Sequence, residues 1–172
     1  MKKIIKREFF ERDAFEVAED LLGKYLVRKY RGKEISLKIN EVEIYDGYED
    51  KASKASRGKT KANSPMFGEP GRFYVYLTYG MYWMLNVVTS KDDYPSAILI
   101  RGAGEIDGPG KLTRDLKINK SLNTKKALPE NNLWFEDRGD DVKKSDIKKT
   151  PRIGIDSAGK KWSSKPYRFL LL

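Results

Sequence analysis

Two β-rich runs, RFYVYLTY (residues 72–79) and YWMLNVVTS (residues 82–90), have little more than Gly80-Met81 between them. A connection that short reads as an antiparallel β-hairpin with Tyr79-Gly80-Met81-Tyr82 at its turn. The same grammar recurs upstream, where KYLVRKY and ISLKINEVEIY flank the turn Arg31-Gly32-Lys33, and downstream in SAILIRG, NNLWFED, PRIGID and PYRFLLL. Helical signals are fewer. Asp13 suits an N-cap, with Glu16 three residues on to complete a capping box, and Phe15, Ala18, Leu21 and Leu22 recur at helical spacing before Gly23. After the glycine- and proline-rich GEIDGPGKL, a short helix is expected near Leu112–Leu116. No repeat or low-complexity linker divides the chain. The pattern predicts one strand-rich α+β domain over residues 1–172, built on an antiparallel sheet, and a 39% hydrophobic composition suffices for its core.

Charge and missing residue types narrow the chemistry. Thirty-five Lys and Arg against 25 Asp and Glu leave a formal +10, a field that draws phosphate polyanions or anionic membrane surfaces. There is no cysteine and no histidine, so neither a disulfide framework nor a soft-ligand zinc site can be built. A general base must then be a carboxylate, a lysine or a tyrosine. A metal could be held only by oxygen, at pairs such as Glu49/Asp50, Asp92/Asp93 or Asp140/Asp141, which also read as solvated turns. No metal and no cofactor is expected. No apolar run approaches the ~20 residues of a membrane span, and the MKKIIKREFF start lacks the apolar stretch of a signal peptide. The expectation is an intracellular protein, of the cytoplasm or nucleoid if prokaryotic, without a membrane partner.

Three constellations could carry function. In ISLKINEVEIY, strict strand alternation puts Ile35, Leu37 and Ile39 on one face with Glu41, Glu43 and Tyr45, leaving Val42 and Ile44 opposite. Either a bulge resets the register, or the strand runs from core into a polar cleft. A carboxylate at the edge of an apolar pocket would have its pKa raised toward useful base strength. The hairpin crowds Tyr74, Tyr76, Tyr79, Tyr82 and Trp83 into ten residues. Strand aromatics usually pack a core, but an exposed apolar tip on a basic protein suggests a wedge between base pairs. Finally, the loop from Lys51 to Lys61 carries five Lys or Arg and no acidic residue, which suits phosphate neutralisation or a solvated charge run.

Taken together, INEVEIYDGYEDKAS, SPMFGEPGRFYVYLTYGMYWMLNVV, AILIRG, GPGKLTRDLKINKS, RIGIDSAGKKW and KPYRF resemble, in order, the alkyladenine (3-methyladenine) DNA glycosylase family, from about Phe9 to Phe169. The resemblance implies a curved antiparallel sheet with a protruding hairpin, and a monofunctional glycosylase without metal or organic cofactor. It would act, as a monomer, on double-stranded DNA containing damaged purines. It also implies residue roles. Glu43 would activate the attacking water, held by Arg101 and the Ile155 carbonyl. Tyr45 and Tyr76 would wall the flipped base, and Asn86 would exclude normal guanine. Tyr79 would fill the gap in the duplex, with Met81 and Tyr82 beside it in the groove.

Three departures from the family pattern bear on substrate range. Lys54 stands where the family commonly has a histidine contacting the flipped base, and an ammonium there would repel cationic bases whereas a neutral amine would not. Only GAGEID separates Arg101 from Gly108, where longer relatives have a helical segment, and Asp156 replaces a glycine. Rival readings are a non-catalytic binder of damaged DNA or RNA, a metal-dependent nuclease using Glu41 and Glu43, and a glycosylase-lyase with Lys54 as nucleophile.

Overall fold

The structure is a computed structural model describing residues 1–172. Its strands are β1 (Lys3–Ile4), β2 (Tyr25–Tyr30), β3 (Lys33–Asp46), β4 (Phe73–Thr78), β5 (Tyr82–Val88), β6 (Ser96–Ala103), β7 (Ile106–Asp107), β8 (Leu133–Asp137), β9 (Ile147–Thr150) and β10 (Arg168–Leu171). Four short helices accompany them: α1 (Arg7–Phe10), α2 (Ala14–Leu21), α3 (Pro109–Asp115) and α4 (Lys160–Ser163). All strand pairs are antiparallel, in the order β1-β8-β2-β3-β6-β5-β4, with β10 on β3, β9 on β10 and β7 on β6. The mixed α+β class expected from the sequence is the one found. No helix is long and apolar enough to cross a membrane.

Local chemistry accounts for most of these elements. Asp13 caps α2 by accepting from the Phe15 and Glu16 amides at 2.9 and 3.3 Å, and Glu16 does not return the bond. Arg31 and Gly32 both take positive φ, which gives the β2–β3 turn the twist a two-residue hairpin needs. Where longer relatives were expected to carry a helical segment, Gly104-Glu105 turns β6 directly into β7. PRIGID is not a strand. Pro151 lacks a ladder donor and Gly154 sits at φ +72°, so the chain crosses the end of β3 irregularly and then enters a 3₁₀ turn at Asp156–Ala158. The strands β1 and β9 carry too little apolar alternation to be legible in the sequence.

The site depends on β3. Ile39, Val42 and Ile44 all lie fully buried in the main core with Leu21, Phe73, Leu85, Ile98 and Phe135. A period of two cannot bring Ile39 and Val42 to the same face. The register breaks twice against β6: Asn40 is the extra residue on β3, and Arg101 the extra residue on β6. These paired bulges leave Val42 and Ile44 facing the core and turn Glu43 and Tyr45 to the opposite side. The bulge reading of this strand is thus the correct one, and the strand also ends in a cleft.

Gly102 lies inside the double bulge, where a Cβ would meet Asn40 Oδ1 at 2.6 Å and the Ile106 carbonyl oxygen at 3.2 Å. Gly102→Ala is therefore expected to cost about 1–3 kcal/mol through overpacking, read as a lowered urea midpoint. An unchanged midpoint would show that the bulge needs no glycine.

Candidate active site

A cavity of about 510 Å³ opens between β3, the β4–β5 hairpin, the start of α3 and residues 153–155. Nine of the ten site positions drawn from the family resemblance line it: Glu43, Tyr45, Lys54, Tyr76, Tyr79, Tyr82, Asn86, Arg101 and Ile155. Met81, the tenth, lies outside it at the exposed hairpin tip.

Glu43 is entirely buried and its two oxygens have separate donors. The Tyr45 hydroxyl donates to Oε2 at 2.8 Å, and the Ile153 backbone N–H donates to Oε1 at 2.7 Å. The Arg101 guanidinium stands 3.6 Å from Oε2 and donates to Glu41 Oε1 at 2.9 Å. Arg168 donates to that same Glu41 oxygen at 2.6 Å. Glu41 therefore serves as an anchor for two guanidinium groups, while Glu43 faces the cavity. Nowhere do three or more acidic side chains converge as a metal-binding group would need.

The aromatic residues around Glu43 are held neutral. Burial, reinforced by the adjacent Glu43 charge, drives the Tyr45 phenol far above its ordinary value, and burial does the same to Tyr76. Burial alone pushes Tyr74 up to about 12. Tyr74 and Tyr76 lie with ring centroids 5.0 Å apart, and the Lys54 ammonium sits 4.6 Å over the Tyr76 ring. Asn86 is fixed by donating from Nδ2 to the Tyr74 carbonyl at 3.1 Å, its cross-strand partner.

Above the cavity, the hairpin turns at Tyr79 and Gly80, both at positive φ. Tyr79 is 83% exposed and Met81 63%, an apolar tip in full contact with solvent. Tyr82 packs so closely on α3 that a Cβ on Gly110 would meet its Cδ1 at 2.8 Å.

Sequence reasoning missed other parts of this site. Met66, Met84 and Leu99 line the cavity but carry the pattern of ordinary core residues. Asp50, read as half of a solvated acidic turn, is fully buried in a two-pronged ion pair with Arg152, at 2.6 and 2.8 Å. The only available signal was the position of Arg152 in RIGID, and nothing in the sequence pairs it with a residue so far away.

The sequence that builds this site has relatives among known proteins. The family described as Methylpurine-DNA glycosylase (MPG) matches residues 8–108 and 103–172. A relative from Methanocella arvoryzae is 43% identical, with 96% of this chain and 91% of the relative covered. One from Carboxydothermus hydrogenoformans is 42% identical over 98% of this chain and 95% of its own length, and one from Legionella pneumophila (strain Paris) is 40% identical over 99% and 95%. All three bear the name "Putative 3-methyladenine DNA glycosylase". The protein is a DNA glycosylase, a hydrolase of DNA repair whose substrate is damaged DNA. In particular, the chain belongs to the methylpurine-DNA glycosylase family, as its sequence motifs had implied.

The neutral phenols give a direct check. On alkaline titration to about pH 11, phenolate absorbance is expected to lack Tyr45, Tyr74 and Tyr76 of the ten tyrosines. Their folded pKa values lie above the ordinary 10.0, so the unfolded chain releases these protons first. The stability they contribute is full below that value and is lost as pH climbs beyond it. Full ionisation of all ten tyrosines in the folded protein by that pH would contradict the burial described.

Proposed function

We propose that this cleft receives a damaged purine rotated out of duplex DNA and hydrolyses its N-glycosidic bond, leaving an abasic site. The supporting observation is Glu43, a fully buried carboxylate held by two donors in a cavity bounded by Tyr45 and Tyr76. Extruding a base costs a few kcal/mol, about 2–4, and less where damage has weakened its pairing. Aromatic stacking returns roughly 1–3 kcal/mol per contact, so the two tyrosine walls can match that cost. Tyr79, exposed at the tip, fills the vacated stack, and Met81 and Tyr82 rest beside it in the groove.

The chemistry follows from charge. As the bond to the purine lengthens, the sugar acquires oxocarbenium character, which the Glu43 carboxylate stabilises. Glu43 takes a proton from water held by Arg101 and the Ile155 carbonyl. The sugar carbon gains the hydroxyl, and the proton Glu43 has taken passes through solvent to a neutral departing purine, or is lost to solvent when a cationic purine leaves as the neutral base. Asn86 rejects the 2-amino group of normal guanine, a role supported by the bond that fixes its amide on the Tyr74 carbonyl. The enzyme acts as a monomer, and the relatives' names point to alkylated purines as substrates.

Lys54 narrows that range. Of the three cations lining the cavity, Arg101 is paired with Glu41 and lies near Glu43, and Lys111 is paired with Asp107 at 2.7 Å. Lys54 has no carboxylate partner and stands exposed at the mouth, over the Tyr76 ring, so no neighbouring anion offsets its charge. Such a site favours neutral purines with a hydrogen-bond acceptor, such as hypoxanthine or 1,N6-ethenoadenine, over cationic 7-methylguanine.

Two measurements follow. Glu43→Gln is expected to bind lesion duplexes normally while its single-turnover rate of base release falls at least about 100-fold. Retained turnover would remove Glu43 from the mechanism. Lys54→Gln is expected to lower the ratio of hypoxanthine to 7-methylguanine release by about 10-fold or more. An unchanged ratio would show that Lys54 does not select the base.

A further inference from the structure

Both hydrogen bonds donated to Glu43 lead to one buried side chain. Arg152 is fully buried, and its Nη1 and Nη2 donate to Asp50 Oδ2 and Oδ1 at 2.6 and 2.8 Å. Nη1 also donates to the Ile44 carbonyl at 2.8 Å, which ties the guanidinium to the strand residue directly after Glu43. The guanidinium lies 4.7 Å over the Tyr45 ring and 5.1 Å over the Tyr167 ring. Tyr45 is the donor to Glu43 Oε2, and Ile153, the next residue after Arg152, is the donor to Oε1. Both hydrogen bonds that orient the carboxylate are thus attached to Arg152, one through ring stacking and one through a peptide bond.

Asp50 continues the arrangement into the basic loop. Its Oδ1 also accepts from the Ala52 N–H at 3.0 Å, and its backbone carbonyl accepts from Ser53 N–H at 2.8 Å. Ala52 and Lys54 both line the cavity. One ion pair therefore fixes three pieces of the site against one another: the end of β3, residues 152–155 and the loop entering Lys54.

Stability does not account for this pair. Burying two charges costs several kcal/mol per ion, about as much as their attraction returns, and apolar side chains of equal volume often do as well or better. Arg152 Nε adds to the cost, being buried without any hydrogen-bond partner. What a bidentate, stacked guanidinium provides that apolar packing cannot is fixed orientation in several directions.

We propose that Arg152 and Asp50 form a positioning pair for the hydrolytic step, acting through the two donors to Glu43 without touching DNA. The proposal rests on Glu43 being the general base. Displacement of a reacting group by about an ångström costs on the order of 100-fold in rate, so loosening this pair should slow chemistry while leaving capture of DNA intact.

The test compares Asp50→Asn, Arg152→Lys and Glu43→Gln by three readouts: duplex affinity, extrusion reported by a fluorescent base beside a hypoxanthine lesion, and single-turnover release of hypoxanthine. Asp50→Asn is expected to keep affinity and extrusion within about 3-fold while release falls about 100-fold, with Arg152→Lys falling less because its charge remains. If Asp50→Asn does not fold, the doubly neutral Asp50→Asn/Arg152→Gln protein carries the same expectation, since it leaves no unpaired buried charge. A folded variant with full release overturns the proposal, as does one in which affinity, extrusion and release fall together. Full release by Glu43→Gln would instead overturn the general-base reading on which the proposal rests.

Discussion

The paired bulges at Asn40 and Arg101 are the constraint on which the rest of the site depends. A regular β3 would have to choose between burying Ile39 and burying Val42 with Ile44, and the main core contains all three. One extra residue on β3 resolves the conflict and sends Glu43 and Tyr45 to the other side of the sheet. The compensating extra residue on β6 is Arg101 itself, whose side chain is thereby aimed at Glu41 and Glu43. The irregularity that completes the core also assembles the polar floor of the cavity.

Around that floor the fold separates two kinds of surface. Below, the charges beside Glu43 are paired: Arg152 with Asp50, and the largely buried Glu41 with Arg101 and Arg168. Above, the hairpin leaves Tyr79 and Met81 unburied, and Lys51, Lys54, Arg57, Lys59 and Lys61 stand exposed on the basic loop. Of these, Lys59 reaches an acidic partner, Asp93. A polyanion would meet exposed cations and an apolar tip first, and a base entering the cavity would meet rings and one oriented carboxylate.

Much of this was legible in the residues, and the remainder failed for identifiable reasons. The β4–β5 hairpin and the β2–β3 pair were readable because their turns allow little else, and α2 because Asp13 and Gly23 mark its ends. Alternation alone left Glu43 ambiguous, since it cannot tell a bulge that resets the register from a regular strand running from core into a polar cleft. It mistook PRIGID for a strand, because a run of alternating apolar residues looks the same whether its amides pair with a neighbour or with a side chain such as Glu43. Asp50 was invisible as a buried group, because its partner Arg152 lies 102 residues away and its neighbours are polar. The family resemblance supplied Asn86, Arg101 and Ile155, which periodicity could not single out, and the cavity brings them together with Glu43, Tyr45 and Tyr76.

The central claim, that this cleft cuts the bond between a damaged purine and its sugar, is tested most directly by incubating the protein with defined hypoxanthine, 1,N6-ethenoadenine and 7-methylguanine duplexes in EDTA. The account predicts a free purine in solution and a strand that stays intact until alkali breaks it at the lesion, with no adduct trapped by borohydride. Tight binding with no purine released from any duplex would contradict it, and would make the protein a binder of damaged nucleic acid rather than an enzyme acting on it.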